Sequence, residues 1–317
     1  MPCGEDMPRD PGRARRRRML QQVGPLTAEV RDVPAPVATV VLMAGLGLGP
    51  WFWEPWLEAF SARNLRVVAL ELPGQGDDGA NPSLDDCVSA VKAALATLSG
   101  PIVLVGHSFA GLVAQLVAVD QPLQALILVC PMTPRQVRIK PARRQVLSGI
   151  KLLPALAAGR PVHVSWEDYL DGGLADMEEG VARDFYTRIK AWPNRLCRDL
   201  VRPPEVDPLK VTGPTLIVLG RRDRLAPWDR VRVLGDLYEA VVWRYDDLGH
   251  MPPWEPAGLR MGRDIARYAV NPTRPQVIES EGFMPTEGVG HELRRARRGE
   301  ALKKRSAYGQ KKSARDE

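Results

Sequence analysis

The chain has 317 residues, of which 44% are hydrophobic and 26% are charged, and its formal net charge is +6. Length and composition predict a globular protein with a large core, built as one large domain or as two of ordinary size. No apolar stretch is long enough to cross a bilayer as a helix, so no transmembrane segment is expected. The positive charge lies at the ends: residues 1–20 carry +3 and residues 291–317 carry +6, which leaves −3 for the rest. A body that binds nucleic acid specifically is therefore not expected.

Runs of apolar and β-branched residues alternate with helical patterns along the chain. The predicted buried strands are Val37–Met43, Arg66–Glu71, Pro101–Val105, Ala125–Cys130, Pro214–Leu219 and, more weakly, Val241–Tyr245, with Leu26–Val33 as a lead-in strand at the edge. The predicted helices are Trp53–Ala62, Leu84–Leu98, Ser108–Val119, Trp228–Ala240 and Pro256–Val270. This alternation predicts an α/β protein with a mostly parallel, doubly wound sheet.

The alternation is interrupted once, between Cys130 and Val211. This segment shows helical pieces rich in Arg, Trp and Leu, with frequent prolines and no strand pattern. About eighty residues are too many for a simple connection between neighbouring strands. Residues 131–210 are therefore predicted to form an inserted helical cap. The folded domain is expected to span 21–275, between a disordered basic leader, 1–20, and a disordered basic tail, 276–317.

The segment Gly106-His107-Ser108-Phe109-Ala110-Gly111 joins a predicted strand to a predicted helix. A strand, a sharp turn carrying a serine and a helix form the nucleophile-elbow arrangement, which lifts the serine hydroxyl above the sheet. The usual pattern has glycine two positions after the serine, where this chain has Ala110, itself a small residue. Serine is also a common helix N-cap. Ser108 is therefore a candidate nucleophile only in the company of a base and an acid.

The chain offers both partners in the order serine, acid, histidine. The candidate base is His250, on a loop with glycine and prolines after the last predicted strand. The candidate acid is Asp223, just after strand Pro214–Leu219, at the sheet edge where ligands bind in open α/β proteins. An ion pair with neighbouring arginines is the alternative role for Asp223. The remaining histidines are His107, expected to point away from the serine, His163 in the cap and His291 in the tail.

An acyl-transfer serine also needs hydrogen-bond donors for the oxyanion that develops during attack. The backbone N–H of Phe109, directly after the serine, is one candidate. The other is the N–H of Leu46, in the glycine-rich loop Ala44–Pro50 that follows the first central strand. These two groups are the predicted oxyanion hole.

Together these segments resemble the α/β-hydrolase superfamily, in particular its capped, single-domain, esterase-like branch, from about Leu26 to Val270. Glu71-Leu72-Pro73-Gly74-Gln75-Gly76 is similar to the acidic-x-Pro-Gly-x-Gly turn after the second central strand of that family. Gly220-Arg221-Arg222-Asp223 and Leu248-Gly249-His250-Met251-Pro252 are similar to its acid and base loops. The loop begins with Ala44-Gly45, whereas the loop of that family usually begins with His-Gly. This difference is expected to affect the rigidity of the loop.

The resemblance implies hydrolysis of an ester, amide, thioester or related bond without a cofactor, here by a serine hydrolase with an acyl-enzyme mechanism. The superfamily also contains lyases, peroxidases and inactive relatives. A non-hydrolytic binding protein with this fold is therefore one alternative. A second alternative is an NAD(P)-dependent oxidoreductase, because Gly45–Gly49 follows a strand and Glu71 ends the next strand, close to a dinucleotide fingerprint. The bulky, proline-interrupted segment after that loop argues against a phosphate-binding helix.

Aromatic residues gather near the predicted oxyanion loop and in the cap. Trp53, Trp166 and Trp192 are the candidates for a substrate pocket, and most of the other aromatic residues are expected to pack in the core. An apolar pocket predicts a small-molecule acyl or aromatic substrate.

Four scattered cysteines, Cys3, Cys87, Cys130 and Cys197, form no C-x-x-C pair, which predicts reduced thiols and a cytoplasmic protein. Histidine and cysteine are too sparse to predict a metal site.

The leader lacks an apolar segment after its arginines and is a poor signal peptide; Met19 is a possible start of translation. The basic ends are expected to be solvated, with nonspecific contact to nucleic acid or anionic lipid as the alternative.

Overall fold

Nine strands form one sheet in the computed structural model, which describes residues 20–76, 79–137, 143–272 and 283–286. The strands are β1 (Leu20–Val23), β2 (Leu26–Arg31), β3 (Ala38–Met43), β4 (Leu65–Leu70), β5 (Ile102–His107), β6 (Ala125–Val129), β7 (Thr215–Gly220), β8 (Val241–Tyr245) and β9 (Phe283–Thr286). Their order is β1-β2-β4-β3-β5-β6-β7-β8-β9. The pairs from β4 to β8 are parallel, and β1, β2 and β9 are antiparallel to their neighbours. The predicted mostly parallel α/β sheet is confirmed.

The central strands are buried on both faces. Every residue of β3, β6 and β7 is buried, as expected of parallel strands covered by helices on each side. The helices are α1 (Leu57–Ser61), α2 (Leu84–Leu95), α3 (Phe109–Ala118), α4 (Arg143–Ala157), α5 (Trp166–Gly172), α6 (Glu179–Thr187), α7 (Asn194–Val201), α8 (Trp228–Val231), α9 (Val233–Tyr238) and α10 (Gly258–Val270). Among the described residues, none of these helices is both long and apolar enough to span a bilayer.

Two predicted helices are divided into shorter elements in the structure. The segment predicted as one helix over Trp53–Ala62 is a 3₁₀ helix, Pro50–Trp56, followed by the short α1. Pro55 lies inside that 3₁₀ turn, where it cannot donate the backbone hydrogen bond that an α-helix requires. The segment predicted as Trp228–Ala240 is divided into α8 and α9.

The insertion between β6 and β7 contains α4 to α7, and the described part of it holds only one isolated bridge, Val162–Trp192. It contacts the body of the protein through an aromatic and cationic cluster. The Arg188 guanidinium lies 4.0 Å from the ring centroid of Trp51 and 5.3 Å from that of Trp254. The Trp51 ring also makes an edge contact with Phe185 of α6, with centroids 4.9 Å apart. These contacts fasten the insertion over the carboxyl edge of the sheet.

The sheet extends beyond the sequence prediction at both ends. β1 begins at Leu20, the last residue of the predicted leader, and pairs with β2. β9 lies within 276–317, the predicted disordered tail, and pairs antiparallel with β8. The short antiparallel edge strand carries Pro285, which an edge position tolerates because one side of the strand needs no partner. Most of the basic leader and tail, with Arg15–Arg18 and His291, lies outside the described residues.

Candidate active site

Ser108 occupies a strained turn between β5 and α3. Its φ is +53° and its ψ is −123°, a conformation that non-glycine residues rarely adopt. The turn brings strand and helix so close that a Cβ at Gly106 would collide with the Ala110 carbonyl, and one at Gly111 would lie 2.6 Å from the Pro131 Cβ. The two glycines therefore stand where the backbones meet, which explains why the motif accommodates Ala110.

The structure brings Ser108, His250 and Asp223 together in one hydrogen-bonded chain. His250 Nε2 lies 2.9 Å from Ser108 Oγ, and His250 Nδ1 lies 2.7 Å from Asp223 Oδ2. The three residues come from the ends of β5, β7 and β8, which meet at the carboxyl edge of the parallel sheet. Asp246 and Asp247, the other acids close to His250 in the sequence, instead pair with Arg244 and Arg260. Chemically, such an arrangement is able to supply a nucleophile, a base and an orienting acid.

Asp223 is held as a carboxylate by its surroundings. Burial alone would raise its pKa, but His250 and the backbone N–H groups of Ala226 and Leu225 outweigh burial, so the pKa lies below its ordinary value. Its Oδ1 accepts hydrogen bonds from Leu225 N at 2.8 Å and from Ala226 N at 2.7 Å. The other oxygen is thereby directed to the imidazole, so His250 Nδ1 carries the proton and Nε2 faces the serine as an acceptor.

Cys130 lies behind the acid, at the end of β6. Its Sγ, a carboxylate oxygen of Asp223 and a ring nitrogen of His250 lie within 4.8 Å of one another, a grouping that could hold a metal ion. Metal binding needs a thiolate. Burial, followed by the Asp223 charge, raises the pKa of Cys130 well above its ordinary value, and Sγ lies 3.6 Å from the Gly249 carbonyl oxygen as a donor. Both ring nitrogens of His250 are engaged, so the grouping fits a hydrogen-bonded network better than a metal centre.

Two buried side chains that the sequence analysis did not identify hold the loop of His250. Glu255 accepts hydrogen bonds from the backbone N–H of Gly249 at 2.5 Å and of Met251 at 2.8 Å. His107 Nε2 lies 2.8 Å from the His250 carbonyl oxygen. Burial, with the nearby His250, lowers the pKa of His107 to about 3, so the neutral ring donates through Nε2–H. The sequence offered one indication of this role, because Glu255 follows the apolar residues Met-Pro-Pro-Trp directly after His250.

The glycine-rich loop lies directly beside the serine. A Cβ at Gly45 would lie 3.1 Å from Ser108 Cβ, which brings the loop containing Leu46 next to the nucleophile. Gln75 replaces the missing histidine as the anchor of the loop: its Nε2 donates to the carbonyls of Ala44 at 3.0 Å and Gly45 at 2.8 Å. Its Oε1 accepts from the backbone N–H of Leu72 at 3.1 Å. Phe109 is the first residue of α3, as the predicted oxyanion donor must be.

The cap reaches the same loop from the other side. Lys190 N–H donates to the Gly47 carbonyl at 2.9 Å, and the Trp192 ring lies within 3.1 Å of where a Cβ on Gly47 would be. Trp192 Nε1 donates to the Tyr169 hydroxyl at 3.0 Å. Trp166 packs within the cap, against Tyr186 and under Arg183.

Trp53, by contrast, lies in the core with 0% exposure, against Phe52, Trp56 and His107. Trp192 lies beside the loop of Gly47, whereas the 3₁₀ helix turns the Trp53 ring inward. The substrate-pocket role of Trp53, Trp166 and Trp192 stays a prediction.

The dinucleotide alternative fails at the segment after the loop. A phosphate-binding fingerprint requires the N-terminus of an α-helix behind its glycines. Here Gly49 is followed by the 3₁₀ helix Pro50–Trp56, whose residues Phe52, Trp53 and Trp56 are buried. The Glu71 carboxylate accepts a hydrogen bond from the Thr27 hydroxyl at 2.8 Å. The glycine-rich loop is therefore not followed by an α-helix N-terminus that could bind a pyrophosphate.

The family follows from these features and from a match to a family model. The model, described as "Alpha/beta hydrolase family", matches residues 40–260, well over half of the chain. The chain therefore belongs to the alpha/beta hydrolase family, and the enzyme is a hydrolase, as the sequence predicts.

Curated relatives and solved structures agree with this assignment. "Putative carbamate hydrolase RutD" of Variovorax paradoxus (strain S110) is 27% identical over 236 residues, which cover 70% of this chain and 87% of the relative. The thermophilic esterase of Thermogutta terrifontis superposes with a TM-score of 0.61 at 19% identity, covering 77% of this chain and 93% of its own. The esterase EaEST of Exiguobacterium antarcticum has a TM-score of 0.61 at 16% identity, covering 79% and 97%. The two structural likenesses establish the fold and not the reaction.

Gln75 is expected to keep the oxyanion loop in place. In Gln75→Glu a carboxylate oxygen would face the carbonyls of Ala44 and Gly45, and the loop would shift. We expect kcat for p-nitrophenyl acetate to fall by about tenfold or more, with a smaller change in KM, because a mispositioned donor weakens transition-state binding. Gln22→Glu, at an exposed site in β1, is the control and should keep full kcat. An unchanged kcat in a folded Gln75→Glu protein would contradict this role.

Glu255 is expected to make stability depend on pH. Burial raises the pKa of its carboxyl from 4.5 to about 7, against the two backbone hydrogen bonds that lower it. Between these values the folded state binds more protons than the unfolded state, so the contribution of Glu255 to the free energy of unfolding falls as pH rises through this window. The free energy of unfolding of the wild type minus that of Glu255→Gln should therefore be smaller at pH 8 than at pH 5, by up to about 3 kcal/mol.

Urea unfolding of both proteins at the two pH values measures this difference. Glu167→Gln, at an exposed carboxyl of α5, controls for the loss of one negative charge. A difference that stays constant, or that grows at pH 8, would show that the Glu255 carboxyl is not held in this way.

Proposed function

We propose that the protein is a serine hydrolase that cleaves carboxylic esters or related acyl compounds through an acyl-enzyme. The observation that carries this proposal is the unbroken chain of hydrogen bonds from Ser108 Oγ through His250 to Asp223. A serine that is hydrogen-bonded to a histidine, whose other nitrogen is held by a buried carboxylate, is set to lose its proton as it attacks a carbonyl.

The reaction follows from this geometry. His250 Nε2 accepts the hydroxyl proton while Ser108 Oγ bonds to the carbonyl carbon, and Asp223 stabilises the imidazolium. The backbone N–H groups of Leu46 and Phe109 are the donors for the resulting oxyanion. His250 then protonates the leaving group, and the acyl-enzyme forms. Water, deprotonated by His250, attacks the acyl carbon, and release of the acid restores the Ser108 hydroxyl.

The cap supports an apolar substrate. Trp192 lies against the loop of Gly47, and Met251 and Leu225 lie close to Gly173 of the insertion, so apolar side chains lie on the side of His250 that faces Gly173. Such a lining favours an acyl or aromatic group over a sugar.

The RutD relatives are a reason to place carbamates beside esters as candidate substrates. A carbamate carbonyl presents the same electrophilic carbon to Ser108. The values of kcat/KM for p-nitrophenyl acetate, for longer acyl esters and for an aryl carbamate rank these classes directly.

Ser108→Ala should lose most of its kcat, by a factor on the order of 10³ or more, because the nucleophile is removed while the fold remains. Ser99→Ala, at an exposed serine, is the matched control and should retain full turnover. A fluorophosphonate probe followed by peptide mass spectrometry should label Ser108 in the wild type. A protein that hydrolyses none of the panel and takes up no probe would support the non-catalytic alternative.

Asp223→Asn should also reduce kcat strongly, because an amide cannot stabilise the imidazolium and would favour the wrong tautomer of His250. Asp247→Asn should cost little, since Asp247 pairs with Arg260 at the surface and does not contact His250. Steady-state kinetics and far-ultraviolet circular dichroism of the two variants measure the comparison. The reverse ranking would move the orienting acid to the loop before His250.

A further inference from the structure

The outward face of cap helix α4 is apolar and uncovered. Val146, Leu147, Ile150 and Leu153 expose 45%, 62%, 54% and 56% of their surface. Single exposed aliphatic residues are common on proteins, but a contiguous group of them marks a surface that binds something. These four residues, with the exposed Pro154 and Ala157, are named here the α4 face.

The residues of the α4 face lie together because of their helical spacing. With about 100° of rotation per residue, the six positions fall within an arc of about 120° on one side of the helix. The opposite side of α4 is the one that packs on the protein. Leu152, Ala155 and Leu156 are partly buried there, and Asn194 of α7 donates to the carbonyls of Ala155 at 3.1 Å and Leu156 at 3.2 Å. The helix therefore has an aliphatic stripe that faces away from the protein, whereas a surface helix usually turns such a stripe towards the core.

The charge of the sequence around α4 indicates what kind of surface the α4 face binds. The sequence has no Asp or Glu between Asp120 and Glu167, and it has seven Lys or Arg residues there: Arg135, Arg138, Lys140, Arg143, Arg144, Lys151 and Arg160. A second copy of this chain that docks through the same segment, or the chain's own basic ends, would bring like charges against it. Among the described side chains Arg135 pairs with Glu205 and Lys151 with Asp168, yet the segment as a whole keeps an excess of positive charge. A surface that is apolar inside and anionic outside complements both the stripe and this excess.

We propose that α4 docks the protein on anionic lipid bilayers, lying in the interface with the α4 face inserted among the acyl chains. An aliphatic arc on a helix, within a sequence segment that has basic and no acidic residues, is the composition of helices that lie in the plane of a membrane surface. Docking of this kind requires no membrane-spanning segment. It directs the cap of the protein towards the lipid.

Co-flotation of the full-length protein with vesicles tests the proposal. Phosphatidylcholine vesicles with and without phosphatidylglycerol are the probes, and the bound fraction gives the partition coefficient. We expect binding to the mixed vesicles that exceeds binding to pure phosphatidylcholine and weakens with added salt. Leu147→Gln combined with Ile150→Gln should lower the partition coefficient by about tenfold or more, because two inserted aliphatic side chains are lost.

Two further variants make the result specific to α4. Leu259→Gln, on α10, changes a leucine of similar exposure, 49%, and should bind as the wild type does. Ile150→Trp should strengthen binding, because tryptophan favours the bilayer interface. Circular dichroism and a thermal melt that match the wild type show that the gain does not come from unfolding. The basic leader and tail are present in every protein compared, so their contribution is common to all.

Three results would overturn the proposal. The first is equal vesicle binding by the wild type and the Leu147→Gln, Ile150→Gln double variant. The second is equal binding to neutral and anionic vesicles. The third is a wild type that dimerises in sedimentation, loses dimerisation in the double variant and does not bind vesicles, which would identify the α4 face as a contact between copies of this chain.

Discussion

The structure of the site depends on one local constraint, the close contact between β5 and α3 at Ser108. The serine backbone is held at a φ of +53°, and Gly106 and Gly111 allow the strand and the helix to approach on either side of it. This conformation is unfavourable for a serine by itself. It persists because β5 is buried in the centre of the sheet and α3 is buried against it, and it places Oγ at the carboxyl edge, within reach of His250.

The sheet order brings the other groups to this edge. β3 and β6 flank β5, and β7 and β8 follow on one side, so four loops converge on Ser108 from successive strand ends. His250 is the most firmly held of the groups on these loops. Its side chain contacts Asp223, its carbonyl accepts from His107, and the N–H groups on both sides of it donate to Glu255. A buried carboxyl is costly to ionise, and these backbone donors offset part of that cost.

The insertion between β6 and β7, predicted to be a cap, contacts the candidate site. Its segment around Lys190 and Trp192 contacts the oxyanion loop directly, and Arg188 lies over the aromatic rings of the body. On its other side the cap carries α4, whose aliphatic arc faces away from the body. A single insertion between β6 and β7 therefore shapes the entrance to the site and presents a surface to the environment.

The sequence by itself determined the parallel α/β class, the elbow at Ser108 and the order of Ser108, Asp223 and His250, because apolar runs and chain order are local properties that survive without coordinates. It also located the helical insertion by its length. Only the tertiary structure decided which residues support these groups. Glu255, His107 and Gln75 act through contacts with backbone atoms, which no sequence spacing encodes. Trp53 was turned into the core by a 3₁₀ helix, and β9 joined the sheet through backbone pairing alone. Such outcomes depend on which surfaces meet after folding, so they could not be derived from local patterns.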